Sequence, residues 1–172
     1  MMNRLVQSLY IICVFCFIIN SNSLEAKKAA IVIDFDTKEV LFEVNADTRN
    51  YPASLTKMMT LYIVFDYLEK GIFKENTSLS VSKTAASRSP SKLYLEAGTK
   101  ISVKNSILAL IIKSANDVAT VVAENISGTE REFAKLMTKY AKDLGMNQTT
   151  FKNASGLLNR AQMTTARDIA TL

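Results

Sequence analysis

The chain of 172 residues contains no histidine, and this absence excludes a serine-histidine-aspartate triad. Its two cysteines, Cys13 and Cys16, both lie in an apolar run near the N-terminus. A chain cleaved after that run would have no disulfide, thiol nucleophile or cysteine-bound zinc. Five glycines and two prolines are too few for a disordered chain. If the protein is a serine enzyme, a lysine must therefore act as its base.

Residues 1–26 are typical of an export signal. Arg4 precedes an apolar run over 5–19, and small residues follow it, so that cleavage after Ser23 or after Ala26 fits equally well. An uncleaved membrane anchor is the alternative, but the run is shorter than the roughly 17 to 25 residues that span a bilayer. The sequence therefore predicts an exported protein, in the periplasm or on the outer face of the cytoplasmic membrane.

Charge and hydrophobic patterning predict a globular α+β protein. The net charge is +5, but basic residues alternate with acids along the chain, which favours a solvated surface over a nucleic-acid partner.

Two β-rich runs precede a series of helical segments, an order that indicates α+β. The predicted elements are a hairpin over 29–35 and 40–44, a helix over 54–69 that is apolar on nearly all sides and therefore buried, a strand over 77–82, a loop over 85–91, a buried helix over 104–113, a helix over 118–126, an amphipathic helix over 130–144, a loop over 153–159 and a last helix from 164.

Ser54 and Lys57 are three residues apart in the apolar helical segment. At that spacing both side chains point to the same side of a helix. A lysine buried among apolar residues has a lowered pKa and can take the proton of a serine hydroxyl. The alternative is a serine that caps the helix and a lysine whose amine reaches solvent.

Ser114 and Asn116 form the second polar pair, placed between two strongly apolar segments. Buried hydroxyl and amide groups need hydrogen-bond partners, which a substrate in a cleft would supply. Ser114 could then pass a proton from Lys57 to a leaving amine, and Asn116 could bind a substrate carbonyl. The alternative is a capped break between two helices, with Ser114 as the cap.

These segments resemble the penicillin-binding D-alanyl-D-alanine carboxypeptidases, the low-molecular-mass serine peptidases of bacterial cell walls. The resemblance covers residues 27–172 and includes the segments 52–60, 111–119, 151–157 and 164–170. It implies a penicillin-binding/β-lactamase-like transpeptidase fold, truncated before the C-terminal strands of its antiparallel sheet. Residues 27–172 would then be the N-terminal part of the peptidase domain.

The resemblance also implies a role for each polar residue of the two motifs. Ser54 is the nucleophile that attacks the penultimate D-alanine of a peptidoglycan stem peptide, and Lys57 is the general base. Ser114 relays a proton to the leaving D-alanine, and Asn116 positions the acyl donor. β-Lactam antibiotics would acylate Ser54 as inhibitors, and neither a cofactor nor a metal is implied.

One part of the family pattern is missing. The sequence has no Lys-Thr-Gly, and the nearest string, Lys83-Thr84-Ala85, is misplaced and lacks the glycine. In the family that strand forms one wall of the cleft, so we expect little activity from this chain alone. A class A-like β-lactamase is disfavoured because no glutamate follows Glu132. A non-enzymatic truncated or split-gene product, completed by a separately encoded C-terminal chain, is the other alternative.

Overall fold

The computed structural model describes residues 28–172, so the predicted export signal lies outside the described residues. The strands of this range are β1 (Ala30–Ile33), β2 (Val40–Val44), β3 (Ser78–Ser80) and β4 (Lys100–Ser102). The helices are α1 (Thr56–Glu69), α2 (Lys83–Ala86), α3 (Val103–Leu108), α4 (Asn116–Ser127), α5 (Glu130–Asp143) and α6 (Ala166–Thr171). This mixture of helices and strands confirms the predicted α+β class. Within residues 28–172, every helix is too short or too polar to cross a membrane.

β1 and β2 form the predicted antiparallel hairpin, with Val32 opposite Phe42. The Asp34 carboxylate holds its turn, because it accepts the Thr37 backbone N–H at 2.7 Å and the Thr37 hydroxyl at 2.8 Å. Helix α6 packs against β1. Every residue of β2 is exposed, and Leu41 retains 60% of its accessible surface. The hairpin therefore presents apolar side chains to solvent in the described chain.

The hydrophobic core is built around α4, whose residues 118–123 are fully buried. Phe133 and Met137 of α5 and Met59 and Ile63 of α1 belong to the same cluster. Both pairs are four residues apart, so each helix directs one face toward α4. The amphipathic helix predicted over 130–144 is confirmed, with its apolar face in this core.

Helix α1 has a buried face and an exposed apolar face. Four apolar side chains on this side, which we call the α1 stripe, remain between 37% and 50% exposed: Leu55 just before the helix, and Met58, Tyr62 and Phe65 within it. The prediction that this helix is buried on all sides is therefore wrong for the described chain. The apolar residues do extend around this side of the helix, but residues 28–172 contain no element that covers it.

The segment after β4 departs from the predicted single buried helix over 104–113. Helix α3 begins after Ser102, whose hydroxyl accepts the Asn105 backbone N–H at 3.2 Å. The helix then widens into a π-helical turn over Ala109–Lys113. Ile111 and Ile112 lie in this turn and are exposed. Only part of the segment is therefore buried.

Two short elements, α2 and β4, were not predicted, and α2 occupies the start of the loop expected over 85–91. The Ser82 hydroxyl accepts the Ala85 backbone N–H at 2.9 Å and so begins α2. β4 pairs with β3, as the antiparallel pair Leu79 and Ile101 shows. Elements this short contain too few residues to display a hydrophobic period.

The loop that joins α5 to α6 returns to the N-terminal end of α1. Asn50 forms an antiparallel bridge with Thr164 just before α1 begins. The Thr60 hydroxyl, in the first turns of α1, donates to the Ala154 carbonyl at 2.8 Å. The loop predicted over 153–159 is thus held against the helix that carries Lys57.

Candidate active site

Ser54 lies in a 3₁₀ turn, Ala53–Leu55, that leads directly into α1. Pro52 is buried and fixes the entry of the chain, whereas Ser54 is exposed. Ala53 has a φ of 45°, a left-handed conformation that is uncommon for a residue with a side chain. Such strained backbone persists only where its surroundings hold it, and it occurs often at functional sites. The serine hydroxyl is therefore displayed on a fixed and strained turn.

Lys57 follows one turn later and is buried, with 3% of its surface exposed. Its Nζ donates to the Asn116 side-chain oxygen at 2.8 Å and to the Ser155 backbone carbonyl at 2.5 Å. Burial lowers the pKa of the amine from 10.5 to about 8, because desolvation disfavours the charged form. The amine can thus lose its proton close to neutral pH, which a general base requires.

Asn116 is the first residue of α4, and its orientation is set by the segment that follows α2. Its Nδ2 donates to the Ser89 carbonyl at 2.9 Å, and its backbone N–H donates to the Ser91 carbonyl at 2.7 Å. With the amide nitrogen committed to Ser89, the side-chain oxygen is the atom that remains to face Lys57. The predicted base and the predicted substrate-positioning residue are therefore in direct contact.

Ser114 ends the π-helical turn in a left-handed conformation, with φ 53° and ψ 42°, and is half-buried. Lys57 Nζ forms no hydrogen bond with Ser54 or Ser114 in residues 28–172; its donors are taken by Asn116 and Ser155. The structure thus joins two of the four predicted residues directly. The catalytic roles of all four stay predictions.

Two further residues of the site were not assigned a role from the sequence. Ser155 contributes its backbone carbonyl to Lys57, an atom that every residue has. Gly156 has a φ of 87°, and a Cβ built on it would lie 1.8 Å from the Ala53 carbonyl oxygen and 3.1 Å from Ser54 N. The loop over 153–159 therefore packs directly on the peptide that precedes the serine. In the sequence, a glycine alone does not distinguish this close approach from an ordinary turn.

Asp117 anchors the segment that faces the site. It is fully buried, and its carboxylate accepts the backbone N–H groups of Leu93, Leu95 and Val118 at 2.9–3.2 Å. The same segment supplies the Ser89 carbonyl that orients Asn116. Asp117 therefore holds one wall of the site against α4.

Replacing Asp117 with alanine should lower the free energy of unfolding by about 3 kcal/mol, because three N–H groups lose their acceptor. Urea denaturation followed by circular dichroism measures this loss. The matched control is Asp143→Ala at the end of α5, whose carboxylate is exposed and bonds to Lys139. That variant should change the stability by less than about 0.5 kcal/mol. Equal losses in both variants would contradict the anchoring role.

The amino-acid sequence of this chain is similar to the sequences of known proteins. The model of the peptidase S11 family, described as D-alanyl-D-alanine carboxypeptidase, matches residues 17–172. The D-alanyl-D-alanine carboxypeptidases DacF of Bacillus subtilis and DacC of Escherichia coli are 40% and 38% identical to this chain over 145 and 151 residues. Each alignment covers 84% of this chain, but 37% and 38% of the relative. The chain thus spans less than two thirds of the curated relatives it matches.

Solved structures give the same result. The crystal structure of the D-alanyl-D-alanine carboxypeptidase DacD from Francisella tularensis matches with a TM-score of 0.82 and 42% identity, over 87% of this chain and 36% of that chain. Penicillin-binding protein D2 from Listeria monocytogenes, solved in an ampicillin-bound form, matches with a TM-score of 0.74 and 30% identity, over 87% of this chain and 61% of that chain. These matches confirm the fold predicted from the sequence, with part of the domain covered.

Proposed function

Because this chain belongs to the peptidase S11 family of D-alanyl-D-alanine carboxypeptidases, we propose that it acts as a serine-type carboxypeptidase on peptidoglycan stem peptides. Ser54 Oγ attacks the carbonyl of the penultimate D-alanine, and its proton passes to Lys57 Nζ. The C–N bond to the terminal D-alanine breaks, and the leaving nitrogen takes up that proton with the help of Ser114. Water then hydrolyses the ester on Ser54. Asn116 positions the acyl donor.

The observation that carries this proposal is the environment of Lys57. Its amine is buried, its pKa is lowered to about 8, and it is fixed by two uncharged acceptors. A lysine that only reached toward solvent from a helix would be exposed and fully charged. Ser54, three residues earlier, is exposed to an incoming substrate. This pairing of an accessible hydroxyl with a buried amine is what nucleophilic catalysis without histidine needs.

Reaction with a penicillin tests the proposal. We expect incubation of the folded chain with ampicillin to give a one-to-one adduct, which peptide mass spectrometry locates on Ser54. The adduct should form slowly, because one oxyanion donor is worth about 100- to 1,000-fold in rate and the Lys-Thr-Gly strand that would supply it is not in this sequence. The control is Ser54→Ala, which should stay unmodified. An adduct on another residue, or none over a day, would overturn the proposal for this chain.

The pH dependence of adduct formation provides a second prediction. Lys57 must be neutral to accept the proton of Ser54, so the acylation rate should rise with pH and level off above the pKa of about 8. Samples quenched at set times between pH 6 and 10 give the acylation rate at each pH. Replacing the exposed Lys139 with methionine should leave it unchanged. A rate that stays constant across this range would exclude Lys57 as the base.

We also propose how the chain is organised in the cell. Residues 1–26 act as the export signal, and residues 27–172 form the N-terminal part of the peptidase domain, in the periplasm or on the outer face of the cytoplasmic membrane. The exposed apolar side chains of the hairpin and of the α1 stripe support a partner segment rich in strands. A separately encoded C-terminal chain that carries Lys-Thr-Gly would fit both surfaces. The alternative is a non-enzymatic product, which the ampicillin experiment would show as the absence of an adduct on Ser54.

A further inference from the structure

The amine of Lys57 depends on two backbone carbonyls that lie in different loops. Ser155 O accepts from Lys57 directly, at 2.5 Å. Ser89 O acts through Asn116, whose amide it orients at 2.9 Å. The precision of the site therefore depends on what holds these two loops together.

One ion pair joins the two loops. Arg88, next to Ser89, pairs with Glu130 at the start of α5, and the two side chains are only 29% and 12% exposed. The other oxygen of Glu130 accepts the backbone N–H of Ala154 at 3.1 Å. Arg88 Nε also donates to the Thr120 hydroxyl of α4 at 2.9 Å. A single carboxylate thus links the residue before Ser89 to the residue before Ser155.

Glu130 is well suited to fix the peptide that it contacts. Ala154 is fully buried, so its N–H needs an acceptor, and the Ala154 carbonyl is already bonded to Thr60 of α1. With the N–H held by Glu130 and the carbonyl held by Thr60, the adjoining Ser155 carbonyl has a defined direction. An arginine and carboxylate in a partly buried position form a stiff brace, because hydrogen bonds between charged groups are stronger than neutral ones.

We propose that Glu130, braced by Arg88, is a positioning residue that holds the Ser155 carbonyl against the Lys57 amine. Glu130 lies outside the two motifs and forms no hydrogen bond with Lys57 in the described chain. On the elements packed against Lys57, the carboxylates of Asp117 and Glu130 bond to N–H groups and to Arg88. The inference rests on the proposed function only in taking Lys57 as the base.

The titration of Lys57 tests this role without any enzymatic activity. The ¹³C resonance of its Cε, assigned by its absence in Lys57→Arg, reports the pKa of the amine in the full chain. Glu130→Ala should free the 153–156 segment and admit water, which raises the pKa of Lys57 by about one. The control is Glu132→Gln on the same helix, an exposed residue paired with Lys135. That variant should titrate like the unaltered chain.

Two conservative variants separate positioning from general stability. Glu130→Gln loses its charge but keeps an oxygen that can accept the Ala154 N–H, whereas Glu130→Asp keeps its charge but is too short to reach. We therefore expect the pKa of Lys57 to rise more in Glu130→Asp than in Glu130→Gln, and this order holds the test open if Glu130→Ala fails to fold. The same pKa in all folded variants, or the reverse order, would overturn the inference. Failure of Ser54 to react with ampicillin while the pKa moves as expected would instead overturn the proposed function alone.

Discussion

Replacing Gly156 with alanine is expected to lower the free energy of unfolding by about 4 kcal/mol. The new Cβ would lie 1.8 Å from the Ala53 carbonyl oxygen, which is backbone and cannot rotate away. The φ of 87° adds strain for any residue with a side chain. If the protein folds, the Ala53–Ser54 peptide must move, and the serine with it. Urea denaturation and the rate of the ampicillin adduct measure the two effects.

Gly145 provides a matched control for this substitution. Its φ of 86° is nearly the same, but a Cβ built on it would meet nothing within 4 Å. Gly145→Ala should therefore show the conformational strain alone, about 1 to 2 kcal/mol, with no loss of Ser54 reactivity. The difference between the two variants isolates the contact with the peptide before Ser54. Similar losses of stability in both would contradict the close approach.

Stability should rise by about 2 kcal/mol between pH 8 and pH 10 through Lys57 alone. The folded chain holds the pKa of this amine at about 8, whereas in the unfolded chain it returns to 10.5. Below pH 8 both states are protonated and the full cost of burying the charge applies. Between the two pKa values the unfolded state binds more protons, so raising the pH favours the folded state.

The measurement is urea denaturation at half-unit steps from pH 7 to 10. Lys57→Met removes the titrating group, so its stability should not show the rise, and Lys139→Met should retain it. The pKa of Tyr140, raised to about 12 by burial and by its hydrogen bond to Asp66, acts in the opposite direction above pH 10. The pH range of the measurement therefore ends at pH 10. A rise of equal size in the Lys57→Met chain would assign it to other groups.

Much of the fold could be predicted because its elements are amphipathic or carry turn signals. The hairpin consists of two β-rich runs joined by turn residues, α5 repeats apolar residues at the period of a helix, and both lie where they were predicted. The burial of α1 was predicted incorrectly. A helix that is apolar on all sides indicates that other elements cover it, but residues 28–172 cover only one of its faces. The π-helical turn over Ala109–Lys113 could not be predicted either, because it keeps the apolar composition of an α-helix while turning Ile112 toward solvent.

In the candidate site, the side chains could be predicted from the sequence, but the backbone contacts could not. Ser54, Lys57 and Asn116 were identifiable because their side chains are chemically distinct and their neighbours are apolar. The contact between Lys57 and Asn116 was compatible with the motifs, but the 59 positions that separate the two residues hide it in the sequence. The carbonyl of Ser155 and the approach of Gly156 belong to the backbone, and the sequence contains no separate signal for either. Glu130 lies in the first turn of an amphipathic helix, and the helical period gives no sign of its hydrogen bond with Ala154.

The hydrogen bond between Lys57 and Ser155 joins residues that are 98 positions apart. During synthesis the lysine emerges long before its acceptor, and in that interval water surrounds its amine, which keeps the pKa of a free side chain. A nascent chain therefore carries an ordinary, protonated lysine next to an unreactive serine. Under the proposed function, Ser54 would become reactive only after the segment that contains Ser155 has packed against the helix, so its reactivity would report the folding of this segment.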